Sequence, residues 1–381
     1  MDFCWTQTQN AKYSNVLKFT QEKLNSVAKR RKHPHQFEHE EWSLCAELGL
    51  LGLCVPKCYG GSGFDTLTTA RIIEAFGRGC EDMGLVFSVS AHLFACVMPI
   101  VEYGSKEIKE AILPKLCSGE QIGANAITEK GAGSDVFTLK TRAVCQDGSY
   151  ILTGTKSYVT NGPIADATIV YALTNPNHGY LGISAFVVEK NTQGLVMGKP
   201  FSKMGLTTTP ASEMYLKKCY VPIKNKLGSE GQGAQIFKRS MQWERVCLFA
   251  SYIGMMERQL ERTIIYAQER RQFGKPIGKN QAISHRIADM KVRLEAARLL
   301  LYRTCWLFDQ GKESTLDVSM SKLVISEAAI QSSLDAIQIH GAVGFTAEAG
   351  IERTLRDSIP STIFSGTSEI QRNLIAGELG L

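Results

Sequence analysis

Residues 241–256 (MQWERVCLFASYIGMM) contain two adjacent charged residues, Glu244 and Arg245, within an apolar run with a helix-like pattern. A glutamate is almost never fully buried unless it has a partner or a chemical task. Adjacent residues on a helix point about 100° apart, so Glu244 and Arg245 are not expected to pair as residues four apart do. From this run alone, a buried ion pair with a distant Arg or Lys is the favoured interpretation, and a chemical role is the alternative.

A second stretch that could bind a ligand is 127–135 (ITEKGAGSD), where small residues precede a serine and an aspartate. A lone glycine-rich stretch is most often a surface turn. It also lets backbone N–H groups approach a phosphate or a planar ring. The chain has no strand–GxGxxG–helix unit and no GxxxxGK[ST] loop, which argues against Rossmann and P-loop nucleotide folds.

The cysteines and the charge restrict the class of protein. Eleven cysteines are scattered along 381 residues, as in a reducing compartment, and the spacing of Cys54 and Cys58 matches no common zinc pattern, so no metal site is predicted. Lys and Arg exceed Asp and Glu by 43 − 37 = 6. Basic residues cluster at 29–32 and 217–226, but no aromatic pattern typical of nucleic-acid binding accompanies them. Solvated surface is the expectation for both clusters.

One segment approaches membrane-spanning length. Residues 83–101 carry no Asp, Glu, Lys or Arg over nineteen positions. Two serines, a histidine and Pro99 favour a buried helix instead, and the N-terminus lacks the apolar segment of a signal peptide. We therefore expect a soluble, cytoplasmic protein with no membrane partner.

The pattern of the chain changes twice. Residues 1–120 carry amphipathic helical patterns, 121–230 carry short β-branched runs with a hairpin signal at Asp147-Gly148, and 231–381 return to long helical patterns. The predicted fold class is α+β, with helices, strands and helices in that order.

Five motifs resemble those of the acyl-CoA dehydrogenase family and occur in the family's order. They are ITEKGAGSD, KSYVTNG (156–162), ERRQFGKP (269–276) followed by Gln281, QIHGAVGF (338–345) and GTSEIQ (366–371). The resemblance covers essentially the whole chain. It implies an N-terminal α-helical domain (1–120), a middle β-barrel-like domain (121–230) and a C-terminal four-helix bundle (231–381). It also implies FAD, and a carboxylate that removes the α-proton of an acyl thioester while a hydride leaves for the flavin.

The resemblance assigns the FAD contacts residue by residue. They are Ile127, Thr128, Gly133, Ser134, Tyr158, Thr160, Arg270, Phe273, Gln281, Gln338, Gly341, Thr367 and Glu369. Tyr158 stands where many relatives have Trp, and Glu369 where relatives often have Gln. The residues from Arg270 to Gly341 resemble those that reach the FAD of a neighbouring subunit. A homo-oligomer, typically a dimer or a tetramer, is therefore implied.

The family resemblance also bears on Glu244. Many members carry the catalytic Glu immediately before Gly-Thr-Ser, where this chain has Ser365. A smaller branch, which includes isovaleryl-CoA dehydrogenase, places it in a Glu-Arg-apolar run that opens the C-terminal domain. Glu244 matches that position, so the resemblance makes it the catalytic base. Ser134, Arg245 and Ser365 are then the expected substrate-binding residues.

Two substrate classes fit this branch: branched acyl-CoAs, and prolyl thioesters on the phosphopantetheine arm of an acyl or peptidyl carrier protein. Residues 203–209 (KMGLTTT) lack the Arg that relatives acting on CoA usually carry after the Gly, and Ser88, Ser90 and His92 suit a polar aminoacyl group. Both features favour the prolyl-carrier substrate. The alternatives are an acyl-CoA dehydrogenase and a non-catalytic flavin-binding scaffold. The expected electron acceptor is either electron-transfer flavoprotein or dioxygen.

Overall fold

Helices form the first part of the chain. The computed structural model describes residues 4–30, 33, 35–312 and 315–381, so Arg31 and Lys32 of the first basic cluster lie outside the described residues. The helices are α1 (Gln7–Phe19), α2 (Asn25–Ala28), α3 (His39–Glu47), α4 (Thr66–Gly79), α5 (Met83–Ala91), α6 (Met98–Tyr103) and α7 (Lys106–Ser118). Side chains of Thr6, Asp65 and Ser105 cap α1, α4 and α7 by accepting backbone N–H groups of the first turn.

The apolar segment of the sequence is a core helix. A π-helical turn (His92–Val97) joins α5 to α6, so that Met83–Tyr103 runs as one helix of 21 residues. Among the described residues it is the one helix long and apolar enough to cross a membrane, but 89% of its apolar window is buried inside the protein. Its residues Val89 and Phe94 belong to one core cluster with Ile253 of the C-terminal region.

The middle of the chain forms a mixed sheet. Its strands are β1 (Gly123–Ala126), β2 (Arg142–Gln146), β3 (Ser149–Thr160), β4 (Ala167–Leu173), β5 (Ile183–Glu189), β6 (Leu195–Met197), β7 (Ala211–Pro222) and β8 (Lys226–Leu227). Their order is β6-β7-β3-β2-β4-β5-β8, with β1 parallel to β4. The predicted hairpin at Asp147-Gly148 is confirmed, since both residues have the positive φ that a two-residue turn of this type requires.

Long helices form the last part. The elements are α8 (Gly233–Trp243), α9 (Ala250–Glu269), β9 (Arg271–Gln272), β10 (Lys275–Pro276), α10 (Gln281–Asp309), α11 (Thr315–His340), α12 (Ala342–Phe345), α13 (Ile351–Ser358) and α14 (Ser368–Glu378). Helices α9, α10 and α11 pack on one another, α14 packs on α11, and α4 packs on α9. The predicted order of helices, strands and helices is confirmed.

Candidate active site

Glu244 lies where α8 passes into a π-helical turn (Glu244–Leu248) that leads to α9. Its side chain is buried, and the Ser365 hydroxyl donates a hydrogen bond to Glu244 Oε2. Burial raises the pKa of Glu244 to about 7, although the Ser365 hydrogen bond and Arg245 both act to lower it. Within the described residues no ion pair involves Glu244, so the interpretation as a partner of a distant cation is not supported.

The segment around Ser365 is held by the residue that follows Glu244. Ser365 is buried and has a φ of 54°, in the left-handed region. Arg245 Nε donates to the Ser365 carbonyl oxygen at 2.8 Å, and Gln371 Nε2 donates to the Gly366 carbonyl oxygen at 2.9 Å. The two neighbours Glu244 and Arg245, which were not expected to pair directly, therefore converge on one serine.

A buried ion pair joins the two glycine-containing motifs of the β-domain. Lys156 Nζ lies 2.8 Å from Glu129 Oε1 and donates to the Ile127 carbonyl oxygen at 3.1 Å. Glu129 also accepts the backbone N–H groups of Lys140 (2.7 Å) and Thr141 (2.9 Å). Burial lowers the pKa of Lys156 to about 8, although Glu129 opposes that shift.

The β-domain candidates for cofactor contact lie around this pair. Ile127 is buried, and the carbonyl oxygen of Thr128 accepts the backbone N–H of Ser157 at 2.8 Å, directly before Tyr158. The Tyr158 ring is 68% exposed at a residue with a φ of 56°. Thr160 ends β3, half-buried. The ion pair and the hydrogen bond from Ser157 to Thr128 thus hold the two motifs next to each other.

Gly133 and Ser134 are exposed and lie on the loop that follows Thr128 in the first motif. A Cβ added to Gly133 would meet no atom within 4 Å, so the backbone there faces open space. Ser134 is exposed. An open, small-residue loop of this kind leaves room for a ligand to approach the backbone.

A second group of candidates occupies the C-terminal surface. Arg270 and Gly341 line a common hollow of about 260 Å³ between the β9–β10 hairpin and the end of α11. Phe273, at the tip of that hairpin, is 95% exposed, and Gln281 and Gln338 are exposed as well. Within the described part of the chain, no hydrogen bond or ion pair joins this group to the β-domain candidates.

The last two candidates begin α14. The Thr367 hydroxyl accepts the Ile370 backbone N–H at 3.2 Å and caps the helix. Glu369 is exposed in the first turn, where its own backbone N–H and the Thr367 side chain hold the pKa of Glu369 below its usual value.

Known proteins resemble this chain along its full length. Models of the acyl-CoA dehydrogenase N-terminal, middle and C-terminal domains match residues 6–120, 124–219 and 231–380. An L-prolyl-[peptidyl-carrier protein] dehydrogenase of Pseudomonas fluorescens is 53% identical over 382 residues, which cover 100% of each protein. The chain belongs to the acyl-CoA dehydrogenase family. The family resemblance inferred from the motifs is therefore confirmed, and with it the acyl-CoA dehydrogenase fold.

Two further similarities point in the same direction. An L-prolyl-[peptidyl-carrier protein] dehydrogenase of Serratia sp. is 46% identical over 381 residues, covering 100% of this chain and 99% of that protein. A solved structure described as "PigA with FAD and proline" matches with a TM-score of 0.98 at 46% identity and covers 100% of both chains.

The structure corrects one part of the substrate argument. Ser88, Ser90 and His92 are completely buried and bonded to the protein itself. Ser88 Oγ donates to Asn161, Ser90 Oγ donates to the Val86 carbonyl oxygen, and His92 Nδ1 accepts the Gly123 N–H. Ser88 and His92 join the apolar helix to the middle domain, and Ser90 bonds within its own helix, so the three residues do not argue for a polar substrate.

The loop at 203–209 also has structural contacts. Leu206 is buried with a φ of 50°, and its N–H donates to Asp357 Oδ1 at 2.6 Å. Thr208 Oγ1 donates to Asp82 Oδ1 at 2.7 Å. The family's usual arginine is still absent from this loop, which is held against two carboxylates by one backbone N–H and one side-chain hydroxyl.

Sequence reasoning missed the Glu129–Lys156 pair, although both residues lie inside quoted motifs. A single lysine inside an otherwise uncharged strand was the available signal. Among the residues that the structure describes, no group of three or more His, Cys, Asp or Glu side chains is placed to hold a metal ion.

Proposed function

We propose that this member of the acyl-CoA dehydrogenase family is an FAD-dependent dehydrogenase or oxidase of an L-prolyl group carried on a peptidyl or acyl carrier protein. The product is a pyrroline thioester, or a pyrrole thioester after further oxidation, for secondary metabolism. The observation that supports this chemistry most directly is that the buried Glu244 carboxylate accepts a hydrogen bond from Ser365. Ser365 stands at the position where many other members carry their base. The full-length similarity to two L-prolyl-carrier dehydrogenases supports the choice of substrate.

The residues present fit FAD. The exposed ring of Tyr158 offers a flat apolar surface for the flavin, and its backbone is fixed through Ser157 to Thr128. The open backbone at Gly133 suits close approach by a cofactor. We assign these residues with Ile127, Ser134 and Thr160 to the flavin side, and Thr367 and Glu369 to the adenine side. FAD, when bound, supplies the hydride acceptor.

Glu244 is proposed to remove the α-proton of the prolyl thioester. A general base works best when its pKa lies near the working pH, and burial moves the pKa of Glu244 to about 7. Because only the carboxylate accepts a proton, the rate of flavin reduction should rise with pH through about 7. Ser365 holds one carboxylate oxygen, and Arg245 holds the Ser365 backbone, so the base keeps one orientation. Arg245 and Ser365 are also the residues that we place beside the substrate.

Ser365→Ala is expected to move the midpoint of this pH dependence upward while flavin reduction at high pH persists. The hydroxyl donates to the carboxylate and thereby lowers the pKa of Glu244. Without the hydroxyl, burial should raise the pKa of Glu244 further. Anaerobic stopped-flow reduction between about pH 6 and pH 9 measures the midpoint. An unchanged midpoint in Ser365→Ala would show that the hydroxyl does not tune the base.

We further propose a homo-oligomer, a tetramer built as a pair of dimers, in which Arg270, Phe273, Gln281, Gln338 and Gly341 contact the FAD of a neighbouring subunit. Phe273 is 95% exposed, and Val343, which lines the hollow together with Arg270 and Gly341, is 47% exposed, so this surface carries apolar side chains that a neighbouring subunit would cover. Arg270 beside Gly341 offers a cation to a cofactor phosphate.

Arg270→Ala is expected to weaken FAD retention, because a phosphate contact made across the subunit boundary is lost. The flavin-to-protein absorbance ratio after gel filtration measures this effect. Lys275→Ala, which removes an exposed cation from the same hairpin, is the matched control and should retain FAD. Equal FAD content in both variants would contradict the contact.

The electrons then pass to electron-transfer flavoprotein or to dioxygen. Oxygen consumption with the prolyl substrate as the sole other partner separates the two acceptors. We also propose a cytoplasmic location, since all eleven cysteines are free thiols, as is usual in a reducing compartment.

A further inference from the structure

Two lysines among the described residues are completely buried, Lys156 and Lys322. Lys156 is held by Glu129 at 2.8 Å. Lys322 lies on α11, and within the described part of the chain its Nζ has no hydrogen-bond partner and forms no ion pair. Lysines are almost never fully buried unless they are paired, and an unpaired buried amine lowers the stability of the fold. A role other than stabilising the fold therefore has to be considered for Lys322.

Lys322 lies behind the residues that surround the base. Its Nζ is 5.5 Å from the centre of the Phe249 ring, which lies between the π-helical turn that begins at Glu244 and α9. The Phe249 ring is in turn 5.5 Å from the ring of Phe364. Phe364 directly precedes Ser365, the residue that donates a hydrogen bond to Glu244.

The charges that reach the Lys322 amino group come from three elements. Burial lowers the pKa of Lys322 to about 7, and the like charge of Arg245 in the π-helical turn adds to that shift. Glu369 on α14 and Glu327 on α11 oppose it, but Glu327 already has an ion pair at the surface. Above about pH 7, where Glu244 is a carboxylate, Lys322 is therefore mainly a neutral amine, which both donates and accepts hydrogen bonds.

The first turn of α14 carries groups that complement this amine. Gln371 is completely buried, and its Nε2 donates to the carbonyl oxygens of Ser365 (3.3 Å) and Gly366 (2.9 Å). Its Oε1 has no partner among the described residues, and neither has the buried hydroxyl of Ser368, three residues earlier on the same face. Because α14 packs on α11, these unpartnered groups and Lys322 belong to two helices in contact.

Arg245 and Gln371 enclose the turn that orients the base. Gly366 has a φ of 87°, and a Cβ added there would lie 2.8 Å from Gln371 Nε2 and 3.0 Å from Arg245 Nη2. The two side chains thus fit closely around the Ser365–Gly366 backbone. A displacement of Gln371 would be transmitted through Ser365 to Glu244.

We propose that Lys322 is a positioning residue for the base: its amino group holds Gln371 through a buried water and so fixes the Ser365–Gly366 turn beside Glu244. A buried water typically makes about three hydrogen bonds to polar groups that otherwise lack partners. Lys322 Nζ, Gln371 Oε1 and Ser368 Oγ are three such groups. This inference rests on the proposed role of Glu244 and adds a residue that does not touch the substrate.

Lys322→Met is expected to lower the rate of flavin reduction at saturating prolyl-carrier protein about tenfold with little change in KM, because the base is displaced while the substrate contacts remain. The midpoint of the pH dependence should move upward, as in Ser365→Ala, since a looser turn weakens the hydrogen bond that lowers the pKa of Glu244. Arg372→Met is the matched control. It removes the exposed pair with Glu327 between the same two helices and should reduce its flavin as wild type does.

Stability separates this role from a purely structural one. Unlike Lys156→Met, Lys322→Met should unfold at an equal or higher urea concentration than wild type, because an apolar side chain replaces a buried amine that has no charged partner. A loss of stability as large as that of Lys156→Met, or an unchanged pH midpoint, would show that Lys322 supports the fold alone and would overturn the proposal.

A double-mutant cycle tests the route through Gln371. Gln371→Leu should also lower the rate of flavin reduction, and adding Lys322→Met to Gln371→Leu should cause little further loss. Fully additive losses would overturn the connection between the two residues. Failure of wild type to reduce its flavin with prolyl-carrier protein would instead overturn the proposed function itself.

Discussion

Glu244→Gln is expected to bind FAD with a nearly unchanged absorption spectrum and to lose flavin reduction by prolyl-carrier protein by about 10²–10⁴-fold, the usual contribution of a positioned general base. Glutamine keeps the size of the side chain and can still accept the Ser365 hydrogen bond through its carbonyl oxygen. It cannot take up the α-proton. Single-turnover anaerobic reduction, followed by the bleaching of the flavin band, measures the loss.

A second variant separates a missing base from a damaged site. Ser365 lies immediately before Gly366, and many family members carry their glutamate at the position of Ser365. The double variant Glu244→Gln/Ser365→Glu is therefore expected to recover part of the lost rate. Ser365→Glu alone places two carboxylates side by side, which raises the pKa of one of them and moves activity to higher pH. Retained turnover in Glu244→Gln would show that another group is the base.

Lys156→Met is expected to have the largest effect on stability, about 3–5 kcal/mol in the free energy of unfolding. The variant removes the buried cation and leaves the Glu129 carboxylate without its charged partner, although the hydrogen bonds from residues 140 and 141 remain. Because Lys156 also holds the Ile127 carbonyl, FAD retention should fall with stability. Urea unfolding and the flavin content of the purified protein measure the two effects.

Lys190→Met is the matched control for that prediction. Lys190 pairs with Asp166 at 3.6 Å in the same domain, but its side chain is largely exposed. An exposed pair of this kind contributes about 1 kcal/mol or less. Equal destabilisation by the two substitutions would mean that the Glu129–Lys156 pair does not organise the β-domain motifs.

Much of the fold could be predicted from patterns among residues that are close together in the sequence. The Asp147-Gly148 turn was predicted because a two-residue hairpin needs positive φ at both positions, and the helices of the C-terminal region followed from apolar periodicity. The family motifs indicated Glu244 as the base. Its neighbourhood with Ser365 was not predictable from either segment alone, because 121 residues separate them.

The errors concern side chains whose partners are distant in sequence. Ser88 and His92 are residue types that suit a polar pocket, but their partners Asn161 and Gly123 come from the middle domain. Lys156 shows the reverse case: the motif KSYVTNG assigns it no role, and it is the buried cation that joins two motifs. A pattern reports which face a residue occupies, and only the packing of other elements decides whether that face is open.

Anaerobic flavin reduction by prolyl-carrier protein, compared with reduction by isovaleryl-CoA, tests the central claim most directly. Both thioesters place an α-proton within reach of the same carboxylate, so the comparison isolates what the site selects. We expect rapid bleaching with prolyl-carrier protein, slowed by added salt because charges at the docking surface are screened over roughly 10 Å at 0.1 M, and poor bleaching with isovaleryl-CoA. Efficient, salt-insensitive reduction by isovaleryl-CoA, with none by prolyl-carrier protein, would contradict it.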